Sequence, residues 1–164
     1  MKRLVLVRHA KSSWKGDHDD YDRPLNRRGQ GDAPRIGAWL RARGHVPEAT
    51  LVSAAVRARS TFARLFIESP PPPARFLDAL YHASAEGMLS VLRGARGGSV
   101  MMVGHNPGIG AFATQLLAEA PEDPDYARFP TAATAVISFP AADWSEVAWG
   151  TGTLADFMIP KRLG

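Results

Sequence analysis

Short runs of aliphatic and β-branched residues alternate with longer stretches of helical period along the whole 164-residue chain, and this alternation constrains the fold more than any other feature. The runs are Leu4–Val7, the briefer Leu51–Val52, Val100–Val103 and Ala135–Phe139, with a further strand expected over Val147–Leu154 after a connection at Pro140–Glu146. Another short strand is placed near Arg75–Leu77. Between the runs, Gly31–Gly44 carries Ile36, Trp39 and Leu40 at helical spacing, and Ala55–Ile67 carries Val56, Phe62, Leu65 and Phe66. Ala85–Ala95 and Pro107–Ala118 repeat the pattern with Met88, Leu89 and Leu92, and with Ile109, Phe112 and Leu116. The spacing predicts an α/β domain with a mainly parallel sheet, one unit spanning residues 1–164. Strands buried on both faces are continuously hydrophobic, so Leu4–Val7 and Val100–Val103 are expected at its centre. Pro70–Pro73 is expected to be a stiff connector, and Glu119–Asp125 a solvated loop.

Composition removes several classes of function. The chain has no cysteine, which excludes a disulfide framework, a thiolate metal site and a cysteine nucleophile. A net charge of +4 suits anionic partners, nucleic acid or phosphorylated molecules. The basic residues are scattered from Arg3 to Arg162 and form no tail or block, and no nucleic-acid motif is present. Met1-Lys2-Arg3 begins like an export signal, but the apolar stretch stops after four residues at Arg8, so a cytoplasmic protein that does not enter a membrane is expected.

In parallel α/β sheets ligands collect at the carboxyl ends of the strands. Arg8-His9-Ala10-Lys11 directly follows the first run. Gly104-His105-Asn106-Pro107 follows the Val100 run and opens a helix, and Ser53 leads into a helix whose early turn carries Arg57. Each feature alone has a plain explanation as a cap or a solvated side chain. Two histidines and two arginines at the ends of three strands converge on one rim if those strands are neighbours. The helix amino termini after Ser53 and Asn106 add backbone N–H groups that favour an anion.

These residues resemble the signature of the histidine phosphatase superfamily, a strand followed by Arg-His-Gly or Arg-His-Ala, here Val7-Arg8-His9-Ala10. Within it the chain is similar to the small phosphohistidine phosphatases of the SixA type. The matching stretches are Arg8–Ser12, Asp22–Gly29, Ser53–Ala58 with Thr61, and Val103–Gly108, in the family's order, with weaker agreement at Leu80-Tyr81, Phe129-Pro130-Thr131 and Pro160-Lys161. The resemblance implies a phosphoglycerate mutase-like three-layer α/β/α sandwich with a mixed central sheet. It also implies His9 as nucleophile, with Arg8, Arg57 and His105 around the phosphate, and neither metal nor cofactor. Lys11, Ser12 and Asn106 are further candidate phosphate contacts. The implied substrate is a phosphorylated protein, such as a histidine-phosphorylated phosphotransfer domain, or a small phosphate ester.

Chemistry independent of the resemblance agrees. A nucleophilic imidazole must be neutral, and neighbouring cations oppose its protonation. The same cations, with His105 as an imidazolium, would then face the phosphoryl oxygens, and forked guanidinium groups suit them better than lysine does. The chain departs from the family at Ser53-Ala54, where many members have Ser-Pro, and in lacking an evident general acid; Asp78 and Glu86 are the only nearby candidates. Without an acid, alkyl phosphates are poor substrates and a phosphohistidine donor is favoured. The alternatives are a phosphatase of small phosphomonoesters or nucleotides within the superfamily, a non-catalytic polyanion-binding module, and a metal hydrolase built on His9 and His105. The last lacks local ligand spacing, with His18, His45 and His82 taken as surface or loop residues.

Overall fold

The computed structural model describes residues 1–164. Six strands form one sheet: β1 (Lys2–Arg8), β2 (Ala49–Ser53), β3 (Ala74–Leu77), β4 (Ser99–Gly104), β5 (Thr134–Phe139) and β6 (Thr153–Met158). Their order is β3-β2-β4-β1-β5-β6, so β4 and β1 lie at the centre, as their unbroken hydrophobic character predicts. The β3-β2-β4-β1 part is parallel, whereas β5 and β6 join antiparallel, giving a mixed sheet.

Alternation along β1 divides the core in two. Leu4 and Leu6 face one side with Met102, Ile109, Phe112 and Leu92; Val5 and Val7 face the other with Ile36, Leu40, Phe62 and Met101. Helices α1 (Arg27–Ala42) and α2 (Val56–Leu65) cover the second face, and α3 (Ala85–Arg93), α4 (Gly108–Gln115) and α5 (Pro124–Arg128) cover the first. The result is the three-layer α/β/α sandwich. Each fully buried aliphatic side chain contributes about 1.5–3 kcal/mol to holding the layers together. No helix is long and apolar enough to cross a membrane.

Three expectations are corrected. The last strand is Thr153–Met158 and not Val147–Leu154. Val147 is buried, which produced the apolar signal, but the backbone after it turns at Gly150 and is tied to the end of α4 by the N–H groups of Gly150 and Gly152, which donate to Gln115 and Leu116. Helix α1 starts at Arg27, four residues before Gly31, because Asn26 caps it by accepting from the Gly29 N–H. Gly29 is required there: a Cβ would stand 2.1 Å from the Lys11 carbonyl oxygen. The acidic stretch ends in a helix, with Asp123 capping α5 and burying Asp125 and Tyr126. His45 lies in the loop between α1 and β2, as expected, with its Nε2 2.9 Å from Asp156 Oδ2. Pro70–Pro73 does connect α2 to β3, and Pro73 accepts from the Thr50 N–H at 2.8 Å.

Candidate active site

The sheet register brings the predicted residues to one edge. Arg8 pairs with Gly104 and Val52 with Val103, so His9, His105 and Ser53 leave adjacent strands together. The His9 and His105 rings lie 5.0 Å apart between centroids. Arg57, at the second position of α2, is 4% exposed, and His9 and His105 are 6% and 7% exposed. A cavity of about 450 Å³ is lined by Arg8, His9, Arg57 and His105 together with Lys11, Ser12 and Asn106, so every predicted site residue borders one space.

The surrounding backbone fixes these groups. His9 Nδ1 lies 2.8 Å from the Ala10 carbonyl. A carbonyl can only accept, so Nδ1 carries the proton and Nε2 keeps the lone pair. The Ala10 N–H donates to Thr61 Oγ1 at 2.9 Å, and the Thr61 hydroxyl donates to the Arg57 carbonyl at 2.7 Å. Arg8 donates to the Phe129 carbonyl at 3.2 Å. The Asn106 amide donates to the Arg128 and Phe129 carbonyls and accepts from the Gly110 N–H, so its polar atoms hold loop and helix in place. His105 Nε2 lies 2.7 Å from Ser53 Oγ, which itself accepts from the Ala55 N–H. If that hydroxyl donates to Nε2, the His105 proton sits on Nδ1, a buried donor with no protein acceptor. Nε of both Arg8 and Arg57 is likewise buried and unpaired, which leaves uncommitted donors here.

Burial, more than the neighbouring cations, sets the protonation of the two histidines. Desolvation pushes His9 down to about 3, with the nearby His105, Arg8 and Arg57 charges adding to it. His105 is pushed down to about 4, again by burial first and then by Arg57. Both are neutral at pH 7. The fixed positive charge around His9 therefore belongs to the arginines, and an imidazolium is not the resting form of His105.

Several members of the site were missed in the sequence. Asp20, in a 3-10 turn at Asp20–Asp22, is the cavity's only carboxylate. It accepts from the Tyr81 hydroxyl at 2.6 Å, from Arg57 Nη2 at 3.1 Å and from Arg23 Nε at 3.1 Å, while Arg57 Nη1 donates to its backbone carbonyl at 2.6 Å. The Tyr81 hydroxyl, and then Arg57, hold its carboxyl well below the usual carboxylate range. Arg23 also donates to Ser12 Oγ at 2.8 Å and stacks on Trp14 with 3.5 Å between guanidinium carbon and ring centre. His82, expected to be a loop histidine, does lie in a loop but borders the cavity with its ring on Tyr81. The signal for Arg23 was present in the Asp22–Gly29 stretch, whereas Asp20 lies two residues before it, and only folding shows which face either presents. The two acid candidates do not line the cavity: Asp78 accepts from the Tyr21 hydroxyl at 2.7 Å, and Glu86 borders an adjoining groove. No group of three or more His, Cys, Asp or Glu side chains is arranged to hold a metal ion.

Backbone strain marks the same edge. The three non-glycine residues with left-handed backbone are His82, Phe129 and Ala132. Phe129 receives Arg8, and the Ala132 N–H donates back to the Arg8 and His9 carbonyls at 3.1 Å. Such conformations cost about 1–3 kcal/mol each and persist where the surroundings enforce them.

Comparison with known proteins agrees with this geometry. Residues 4–81 match the model of the histidine phosphatase superfamily (branch 1). The crystal structure of a protein from Agrobacterium tumefaciens, assigned as phosphohistidine phosphatase SixA, is 32% identical, covers 97% of this chain and 98% of its own, and superposes with a TM-score of 0.77. The chain belongs to the histidine phosphatase superfamily. A structure of the protein histidine phosphatase SixA complexed with tungstate gives 25% identity, 99% coverage of both chains and a TM-score of 0.79. The Mycobacterium tuberculosis protein Rv1276c is 35% identical over 94% of this chain and 100% of its own length. The protein is accordingly a hydrolase, a phosphatase of the histidine type, on the phosphoglycerate mutase-like fold.

Proposed function

We propose that this phosphatase removes the phosphoryl group from phosphohistidine on a partner protein, with His9 as the nucleophile. The single observation that carries the reading is the state of Asp20. The only carboxylate at the cavity is held ionised by Tyr81, Arg57 and Arg23, so no carboxylic acid is available to protonate a leaving alkoxide.

In the first step His9 Nε2 forms a bond to phosphorus while the bond from phosphorus to the donor nitrogen breaks. The donor imidazole leaves neutral when its other nitrogen already carries a proton, so the enzyme supplies none. Arg8 and Arg57 face the phosphoryl oxygens, and the His105 N–H adds a donor without net charge. In the second step water attacks the phosphohistidine at His9, releasing phosphate and restoring the imidazole. The positive charge comes from guanidinium groups, and the proposal invokes no metal. Lys11 and Ser12 border the phosphate position, and Asn106 supports it by holding the loop.

The decisive comparison is turnover of a phosphohistidine-bearing protein domain against a sugar phosphate and phosphoglycerate. The domain is expected to be dephosphorylated with kcat/KM at least about 10² above the esters, since general acid catalysis contributes about 10²–10⁴ where it operates. An acid-labile label should appear on His9 in a quenched reaction and be absent from His9→Ala. Faster turnover of the esters would overturn the reading and direct attention to His82 as their proton donor.

A further inference from the structure

The catalytic cavity has a neighbour that the chemistry above does not use. A cleft of about 360 Å³ opens beside it, and the two share Arg8 and Thr131. Its charged lining is Arg8, Arg28, Arg128 and Lys161 against one carboxylate, Asp125. Asp125 is already shared: Arg128 pairs with it closely, Lys161 lies at 3.2 Å and Arg162 at 3.1 Å. Arg28 has a contact of 3.5 Å to Asp32. One carboxylate against four lining cations leaves the cleft with surplus positive charge. The side chains carrying it are reachable, with Arg28, Arg128 and Lys161 65%, 68% and 64% exposed.

Scattered surface arginines are ordinarily solvated and mean nothing. Here they line a concavity built from three remote segments, around residues 28, 125–131 and 159–161, and that concavity continues into the space around His9. It also accounts for Pro130 and Pro160-Lys161, which lie in stretches that resemble the family and have no role in the proposed phosphoryl transfer, with Thr131 shared between the two spaces.

We propose that this cleft is a subsite for a second anionic group of the substrate, a carboxylate on an acidic segment flanking the phosphorylated histidine of the partner protein. The inference rests on the phosphohistidine reading and deepens it by stating what surrounds the reacting residue. With phosphorus at His9 and Arg8 between the two spaces, a flanking Asp or Glu reaches Arg128 and Lys161 while the phosphoryl group stays in the catalytic cavity. A rim interaction of this kind changes substrate affinity and its salt dependence and leaves the chemical step alone.

The test uses two peptides carrying one phosphohistidine, one flanked by Asp and Glu and the other by Asn and Gln at the same positions. The wild-type protein is expected to favour the acidic peptide about tenfold in kcat/KM through KM, with the preference shrinking as salt is added. The Arg128→Gln/Lys161→Gln double variant is expected to lose that preference with kcat unchanged; Lys161→Gln alone, which keeps Arg128 on Asp125, should lose part of it if the double variant does not fold. Equal turnover of both peptides by the wild type, or a preference that survives in the variants, overturns the subsite and leaves the phosphohistidine reading standing. If neither peptide is turned over while a phosphate ester is, the phosphohistidine reading falls, and titration calorimetry with the unphosphorylated acidic peptide decides the subsite. Binding that weakens about tenfold in the variants supports it. No binding, or tighter competition by inorganic pyrophosphate than by the acidic peptide, ends it.

Discussion

The bottom of the catalytic cavity and its rim are built on opposite principles. At the bottom, His9, Arg57 and His105 are almost wholly buried and rise from strand ends and a helix start tied together through backbone groups. At the rim, Trp14 and the side chains of Asp20 and His82 are exposed, with 76% of Trp14 and 70% of the His82 side chain open to solvent. The contrast separates two tasks. Buried, fixed guanidinium and imidazole groups hold a reproducible geometry, as the proposed attack on phosphorus requires, whereas an exposed rim can adapt to whatever group enters.

The sharpest way to break this contrast is to keep the charge at the bottom and change its shape. Arg57→Lys is expected to lower kcat by about 10²–10³, because a single ammonium cannot reproduce forked donation to two oxygens. Steady-state kinetics on a phosphohistidine donor checks it; near-normal kcat would mean that the bottom of the cavity is only a reservoir of charge. A second test uses acid. His9 and His105 titrate well below 6.5 in the folded protein, and unfolded histidine titrates near 6.5. Below that pH the unfolded chain takes up protons that the folded one refuses. Stability is therefore full above pH 6.5 and is lost as pH falls toward 4, by up to about 1.4 kcal/mol per pH unit for each histidine. Denaturant titrations of wild type and His9→Gln should differ in this slope. The smallest effect belongs to the rim: Asp20→Asn removes the anion that shares Arg57 with an incoming phosphoryl group. Orthophosphate and tungstate should bind about five- to tenfold tighter, one charge-assisted hydrogen bond being worth about 1.5–3 kcal/mol before the reorganisation of Arg57 is subtracted. Weaker binding would show that Asp20 serves Arg57 chiefly as a brace.

The same contrast explains what was legible in the sequence. Residues at the bottom of the cavity follow directly on strands whose hydrophobic runs announce themselves, so Arg8, His9 and His105 could be placed by local pattern, and Arg57 by the helix it opens. Asp20, Tyr81 and His82 belong to turns with no period; Asp20 and Tyr81 meet Arg57, and His82 meets Tyr81, only because β2, β3 and the segment before α1 come together in space. The protonation of His9 was foreseen in direction but not in its main cause, because desolvation depends on how completely other layers cover a residue. Helix α5 went unseen because Glu119–Asp125 is strongly acidic, and the cations that neutralise Asp125 lie at Arg128 and at the far end of the chain, Lys161 and Arg162.

Thr61 carries a consequence for how such a chain can vary. Its one hydroxyl receives the Ala10 N–H and gives its own hydrogen to the Arg57 carbonyl, so the segment after His9 and the helix that carries Arg57 are buckled by a single atom. Valine has nearly the same outline and would undo both links at once, while serine would keep them. Drift across the outer face of α2 is therefore cheap, but position 61 admits only a β-hydroxyl if the spacing between His9 and Arg57 is to be inherited.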